Sequence, residues 1–231
     1  MKNTYIFFFF LTSLIPNLAC RKAPPFSQGS ATLTIANVLV EGQAVKLSSH
    51  TQVINNNAFA HVGLPPGATD LYVFPIADSL KPYYISSKAL QVKEGEIYTL
   101  FLGGLAETPN IILLQEALPQ HIDSSMGVRF VNLSPGSPSV NITLSKSPTI
   151  QEFTEIEYQQ VTKFQSYPIT SGFKSYTFQV RETNTSKLIT SLTLSGTNLA
   201  TGLPRFKNVT LVLRGLVGGP PAAGITRINH Y

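Results

Sequence analysis

Ala31-Thr32-Leu33-Thr34-Ile35-Ala36-Asn37-Val38-Leu39 is the stretch from which the fold class can be read. Leu33, Ile35, Asn37 and Leu39 share one parity, and Thr32, Thr34, Ala36 and Val38 share the other. Side chains of a strand point alternately to its two faces, so a period of two carried by β-branched residues predicts a β-strand. The same texture predicts further strands at Ala44 to Leu47, Phe59 to Val62, Leu71 to Ile76, Tyr83 to Ile85, Ala89 to Val92, Ile97 to Gly103 and Ile111 to Gln115. Between them lie turn clusters such as Asn55-Asn56-Asn57, Pro65-Pro66-Gly67 and Glu94-Gly95. No window sustains a 3.6-residue apolar period with caps at both ends. The class is all-β, and short strands spaced by turn signals predict a sandwich or barrel.

Gln115 to Met126 is more polar and loses the alternation, which places a boundary there; strands resume at Val128. The expected domains are residues 31–118 and 127–231, the second closing on a strand from Gly224 to Tyr231. The second half repeats the first. Arg129-Phe130-Val131-Asn132-Leu133 echoes Thr34-Ile35-Ala36-Asn37-Val38. Ile169-Thr170-Ser171-Gly172, followed by Tyr176 and Phe178, echoes Leu64-Pro65-Pro66-Gly67, followed by Leu71 and Val73. Thr210-Leu211-Val212-Leu213-Arg214-Gly215-Leu216 echoes Thr99-Leu100-Phe101-Leu102-Gly103-Gly104-Leu105. Three blocks in the same order predict two like domains in tandem. The spacing between blocks is longer in the second half, so loop insertions are expected within Ser145 to Gln165 and Thr183 to Leu203.

Residues 1–19 read as an export signal: Lys2 forms a short positive region and Tyr5 to Ile15 is an apolar run too short to span a bilayer. Ala19 is followed by Cys20, the single cysteine of the chain, in an arrangement that resembles the lipobox of bacterial lipoproteins. That resemblance implies acylation of the Cys20 thiol, palmitate among its chains, and cleavage just before it. The competing reading is an unmodified thiol in the flank of an ordinary signal. Two or three acyl chains anchor stably where one binds marginally. Residues 20–30, with Pro24, Pro25, Ser27, Gly29 and Ser30, then form an extended tether.

The apolar fraction of 43% suits a packed core, whereas the charged fraction of 13% is about half the usual ~25%. The net charge of +5 reflects few acids more than many bases, and the bases are scattered, so nucleic acid is not an expected partner. One cysteine leaves no intrachain disulfide, and stability must come from burial.

Val128-Arg129-Phe130-Val131-Asn132-Leu133-Ser134-Pro135-Gly136-Ser137-Pro138 and Tyr98-Thr99-Leu100-Phe101-Leu102-Gly103-Gly104 resemble the two signatures of a bacterial cell-envelope family, domain of unknown function 4397. The first is an Asn-X-Ser-Pro strand end near the start of each domain, the second a Tyr-Thr-hydrophobic-Gly strand near its end. The resemblance implies lipoproteins with Ig-like sandwich domains, often in tandem. The first copy has Leu39-Val40 where Ser-Pro would follow, and the second has Val209 where Tyr98 stands. The family brings no established activity, so no catalytic residue carries over.

His50, His61, His121 and His230 are widely separated and none has a His or Cys partner at metal-ligand spacing, so neither a metal nor another cofactor is expected. His121, Asp123, Ser124 and Ser125 hold the side chains of a triad but lie in the segment expected to join the domains. Asp70 and Asp78, or Glu152, Glu155 and Glu157, read as the wet face of a sheet. Tyr83 and Tyr84 are the candidate ligand contacts, as exposed loop aromatics; core packing of one of them is the alternative. The expectation is a non-enzymatic lipoprotein, lipid-anchored to the outer membrane, that binds or scaffolds an envelope protein or glycan through loops at the sandwich ends. The alternatives are a structural subunit that donates an edge strand, with Gly224 to Tyr231 as the feature in question, and a glycan-binding accessory protein.

Overall fold

The computed structural model describes residues 30–87, 90–169, 175–196 and 202–230. The expected signal, Cys20 and the tether up to residue 29 lie outside them, as do Ala89, Thr170 to Gly172 and Tyr231. Ten strands come first: β1 (Ala31–Asn37), β2 (Val45–Leu47), β3 (Val53–Ile54), β4 (Ala58–Leu64), β5 (Gly67–Thr69), β6 (Tyr72–Pro75), β7 (Tyr84–Ile85), β8 (Leu90–Val92), β9 (Ile97–Leu105) and β10 (Thr108–Gln115). Eight follow: β11 (Ser125–Asn132), β12 (Val140–Leu144), β13 (Ser147–Ile156), β14 (Gln165–Pro168), β15 (Ser175–Glu182), β16 (Leu188–Ser195), β17 (Asn208–Arg214) and β18 (Gly224–His230). They build two β-sandwiches. The first has sheets β10-β9-β1-β4 and β3-β2-β6-β7 with a small β5-β8 ladder, and the second has β18-β17-β11-β14 and β13-β12-β15-β16.

The two sandwiches are the same object built twice. In each, the opening strand lies parallel to the penultimate one of its sheet, Asn37 opposite Leu102 in the first and Asn132 opposite Leu213 in the second. These sheets are therefore mixed, because the chain returns over the opposite sheet between the two strands; local pattern does not report which strands become neighbours. The register makes Thr34 equivalent to Arg129 and Thr99 to Thr210, as the sequence echo has it. Opposite Leu47 lies Val73, and opposite Leu144 lies Phe178, which extends the equivalence to the other sheet. Each opening strand ends on a buried asparagine that ties the sheets together. Asn37 donates from Nδ2 to the Ile54 carbonyl at 3.3 Å, and Asn132 to the Ile156 carbonyl at 3.2 Å.

Two expectations change. The extra length of the second copy goes into strands: β13 has ten residues where β3 has two, and β16 has eight where β7 has two. Edge strands can lengthen this way because one side is unconstrained: β16 pairs along β15, and β13 takes up its extra residues in irregularities against the shorter β12. β11 also begins at Ser125, before the expected Val128, and Met126 is fully buried. Its polar start misleads because the Ser125 hydroxyl is satisfied inside the fold, donating to Asp123 Oδ1 at 2.6 Å.

Leu33 and Ile35 on β1 join Leu100 and Leu102 in the first core, and Phe130, Phe178 and Leu211 lie in the second. The other parity of β1 is buried as well, with Thr34 and Ala36 almost fully covered. What covers it is the other sandwich. Ala36, Val38 and Phe101 pack against Val131, Leu133, Val212 and Ile228, bordered by Phe59, Ile112, Leu114 and Val161. These positions correspond in pairs: Ala36 to Val131, Phe101 to Val212, Leu114 to Ile228 and Phe59 to Val161. A duplicated face thus packs on itself, a two-fold interface within one chain. An apolar seam of this kind holds two domains in one arrangement, where polar interdomain contacts leave them free to move.

Candidate binding cleft at the end of the seam

Beyond Asn37 the first chain runs through Val38 and Leu39 to Val40, whose N–H donates to the Gly104 carbonyl at 2.8 Å, and then turns at Glu41 with φ of 56°. Beside it, Asn57 closes the β3–β4 turn, also left-handed at φ 59°, its N–H donating to the Asn37 carbonyl at 2.7 Å. From the second sandwich, β17 ends at Arg214, and Gly215 turns the chain at φ 80°. Glycine is required there, since a Cβ would lie 2.5 Å from the Ala222 carbonyl oxygen. The following loop folds back through Pro220 and Pro221, with the Leu216 N–H donating to the Pro221 carbonyl at 2.9 Å. Between these elements is a cleft of about 390 Å³, lined by Leu39, Val40, Glu41, Asn56 and Asn57 on one side and Arg214, Gly215, Pro220 and Pro221 on the other. Its volume falls within the roughly 300–1,000 Å³ usual for small-molecule sites. Arg214 is its cation, half-buried, with Nε donating to Thr226 Oγ1 at 3.3 Å.

Deeper in the seam the charge is neutralised within the protein. Arg129 donates from Nη1 to Glu116 Oε2 at 2.8 Å and from Nη2 to Glu116 Oε1, and from Nε to Thr210 Oγ1 at 2.8 Å. Its guanidinium lies over the Phe164 ring, 4.6 Å from the centroid. Thr210 Oγ1 is 2.7 Å from His230 Nε2. A hydroxyl that accepts from arginine offers its own proton to the imidazole, so His230 is read as a neutral acceptor. Burial, then the positive charge of Arg129, lowers its pKa to about 4. His61, hydrogen-bonded to Thr34 Oγ1 at 2.9 Å, is also shifted down, chiefly by burial. This cluster fixes the domains; its reactive atoms face one another.

The residues singled out from sequence do not line this cleft. Tyr83 and Tyr84 are both half-buried and pack against the first core, Tyr84 on β7 opposite Val73. Burial raises the Tyr84 phenol's pKa, and neither ring lines the cleft. His121, Asp123 and Ser125 do converge: Ser125 Oγ is 3.1 Å from His121 Nδ1 and donates to Asp123 Oδ1. The wiring is not that of a triad. The carboxylate holds the serine and not the imidazole, whose Nε2 is 2.9 Å from Asn208 Oδ1, and Ser125 is 2% exposed. Ser124 Oγ donates to the Ile169 carbonyl at 2.6 Å, so both serines fasten the connecting segment to the second sandwich. Glu152 Oε2 accepts from Tyr167, Asp70 accepts from Ser86, and Asp78 pairs with Lys81 at 3.7 Å. Among the described residues no three His, Cys, Asp or Glu side chains gather as metal ligands.

Sequence reasoning missed Arg214, Asn56 and Asn57. The asparagines were legible as a turn. The signal that finds Arg214 is the repeat itself, since an arginine stands where the first copy has Gly103.

The model of the family described as domain of unknown function 4397 matches residues 26–143, which span the first sandwich, β11 and nearly all of β12. No curated protein matches the chain.

Proposed function

The chain belongs to the domain of unknown function 4397 family, and on that premise we propose that it is a non-catalytic binding module, lipid-anchored through Cys20 to the outer membrane of a bacterial envelope. Its paired sandwiches present their end loops to an envelope protein or glycan. The observation that supports this reading is the cleft between Leu39–Glu41 and Arg214–Pro221, where loops of both sandwiches meet on a scaffold held by the apolar seam. A rigid frame with loops converging at one end is the arrangement by which sandwiches position recognition surfaces. The buried Ser125 hydroxyl and the internally paired Arg129 and Glu116 support a role without catalysis.

The terminal run favours this reading over strand donation. From Gly224 to His230, β18 pairs with all seven residues of β17, and it places Ile228 in the seam. A strand so engaged serves its own domain.

The test is affinity capture of envelope proteins and glycans on the full chain. The reading expects a partner whose retention is lost on substituting Glu41 and the Asn56–Asn57 turn. It expects that retention to survive substitution of Thr177 and Thr193 on the β15–β16 ladder of the opposite sheet. Capture that ignores the loops would overturn it. Cys20→Ser tests the anchor: the expected result is a protein lighter by its acyl chains and released from the membrane fraction.

A further inference from the structure

The internal two-fold gives the seam two equivalent ends, and they are finished differently. Arg214 corresponds to Gly103, Gly224 to Asn110, and Gly215 to Gly104, the last two both left-handed at φ 80° and 78°. The turns correspond as well. Gln159 donates its N–H to the Asn132 carbonyl at 2.7 Å with φ of 67°, as Asn57 does to Asn37. Tyr158 is therefore the counterpart of Asn56.

At the Tyr158 end the protein fills its own crevice. Asn110 Nδ2 donates to the Tyr158 hydroxyl oxygen at 2.7 Å, and Gln159 Nε2 donates to Asn110 Oδ1 at 2.8 Å. The phenol oxygen lies 3.0 Å from where a Cβ on Gly104 would stand, so the ring end is seated against the strand. At the other end Asn56 supplies no ring, and the cleft of about 390 Å³ is open.

The open end also carries a charge that the filled end lacks. Nη1, Nη2 and Cζ of Arg214 all lie 3.2 Å from the position of a Cβ on Gly224, so the guanidinium lies flat over that glycine and turns its edge elsewhere. Its Nε is used by Thr226, while its terminal nitrogens make no hydrogen bond and no ion pair within 4 Å among the described residues. A guanidinium edge with free N–H groups matches a carboxylate in a two-point fit. Glu41 at the rim is exposed, where water and salt screen its charge.

Resting on the binding-module reading, we propose that this open end is a site for a small organic acid, a six-membered ring bearing a carboxylate. The carboxylate is seated on the edge of Arg214. The ring occupies the place that Tyr158 fills at the opposite end, against the exposed Pro220 and Pro221; Asn56 Oδ1 accepts the Asn57 N–H at 2.9 Å, which leaves its Nδ2 to donate to a ring hydroxyl. A uronic acid unit of a glycan and a free aromatic acid share this chemistry, and the experiment separates them.

The full chain is titrated with sodium D-glucuronate and, separately, with 4-hydroxybenzoate, with glucose and phenol as neutral controls, followed by calorimetry and by the side-chain resonances of Asn56 and Arg214. At least one acid is expected to bind, with its neutral control weaker by about tenfold or more, the loss of one charge-assisted contact. The acid that binds identifies the source. Arg214→Gln is expected to remove the preference for the acid over the neutral control. Asn56→Tyr, which copies the filled end, is expected to abolish binding with the melting temperature retained; if that variant does not fold, Arg214→Gln alone decides. Silence towards both acids, or binding unaltered by Arg214→Gln, overturns the assignment. Should neither acid bind while loop-dependent capture of a partner persists, the ligand class is wrong and the binding-module reading stands; should loop-dependent capture also fail, both fall.

Discussion

The guanidinium of Arg129 and the carboxylate of Glu116 form a two-point ion pair with side chains only 6% and 3% exposed. Glu116 directly follows the last strand of the first sandwich, and Arg129 lies on the first strand of the second, so the pair ties the connecting segment into the seam. Removing one partner strands the other charge away from water. Glu116→Ala or Arg129→Ala is expected to cost about 3–5 kcal/mol, whereas replacing both with apolar residues of similar volume is expected to recover most of that loss. Denaturant unfolding of the two single variants and the double variant checks this; equal losses in the single and double variants would show that packing, and not charge pairing, is at stake.

His230 makes the protein sensitive to acid. Its ordinary pKa of 6.5 is lowered to about 4 in the fold by burial and by Arg129. The unfolded chain therefore binds the proton more readily than the native one between these values. Stability is expected to be full above about pH 6.5 and to fall as pH drops towards 4, by about 3 kcal/mol from this group at the low end. His230→Phe is expected to flatten that part of the stability profile, at some cost in absolute stability from the lost Thr210 contact. A profile with the same slope in the variant assigns the acid sensitivity to other groups.

Gly103 is a glycine because of the other sandwich. A Cβ there would lie 2.8 Å from Leu133 Cδ1 and 2.9 Å from its Cβ. Gly103→Ala is expected to destabilise by about 1–3 kcal/mol, since overpacking forces side chains and backbone to shift. Leu133→Ala on its own leaves a cavity, yet combined with Gly103→Ala it gives the new methyl room. The double variant is thus expected to be more stable than the sum of the single changes, with a coupling of about 1 kcal/mol or more. Strict additivity in thermal melts would mean that the sandwiches are not packed at this point in solution.

Much of this architecture is legible in the chain because its causes are local. The parity of Leu33 and Ile35 marks an inward face, and Arg129 to Leu133 repeats Thr34 to Val38 residue for residue in the observed register. The seam is less legible. Ala36, Val38 and Phe101 alternate with core residues just as a solvent-facing or partner-facing row would, and nothing local says that the covering partner is the chain's own second half. The cleft is hidden for the same reason: Asn56 and Arg214 are far apart in sequence, and each alone reads as a turn residue and a strand-end charge. Tyr83 and Tyr84 show how far a loop pattern reaches: Lys-Pro-Tyr-Tyr leaves display and core packing both open, and the structure has both rings half-buried against the first core.

The duplicated asparagines allow one position to be measured against its twin. Asn132 uses both ends of its amide: Nδ2 donates to the Ile156 carbonyl and to Ser137 Oγ, while Oδ1 accepts the Ser134 N–H at 3.2 Å. Asn37 donates to the Gln43 carbonyl at 2.8 Å and to the Ile54 carbonyl, but its buried Oδ1 has no hydrogen-bond partner among the described residues. Ser134-Pro135 after Asn132 supplies the N–H that Leu39-Val40 after Asn37 does not deliver, so the departure from the family signature has a physical consequence. Each alanine variant strands a buried Ile carbonyl, but only Asn132→Ala also strands an N–H. Asn132→Ala is therefore expected to cost more than Asn37→Ala, by about 1 kcal/mol, the net worth of one buried hydrogen bond. Chemical denaturation of the two variants against the parent chain makes the comparison. An equal or inverted order would mean that the Asn37 amide oxygen has a partner in solution, such as a buried water, and that the two copies are pinned alike.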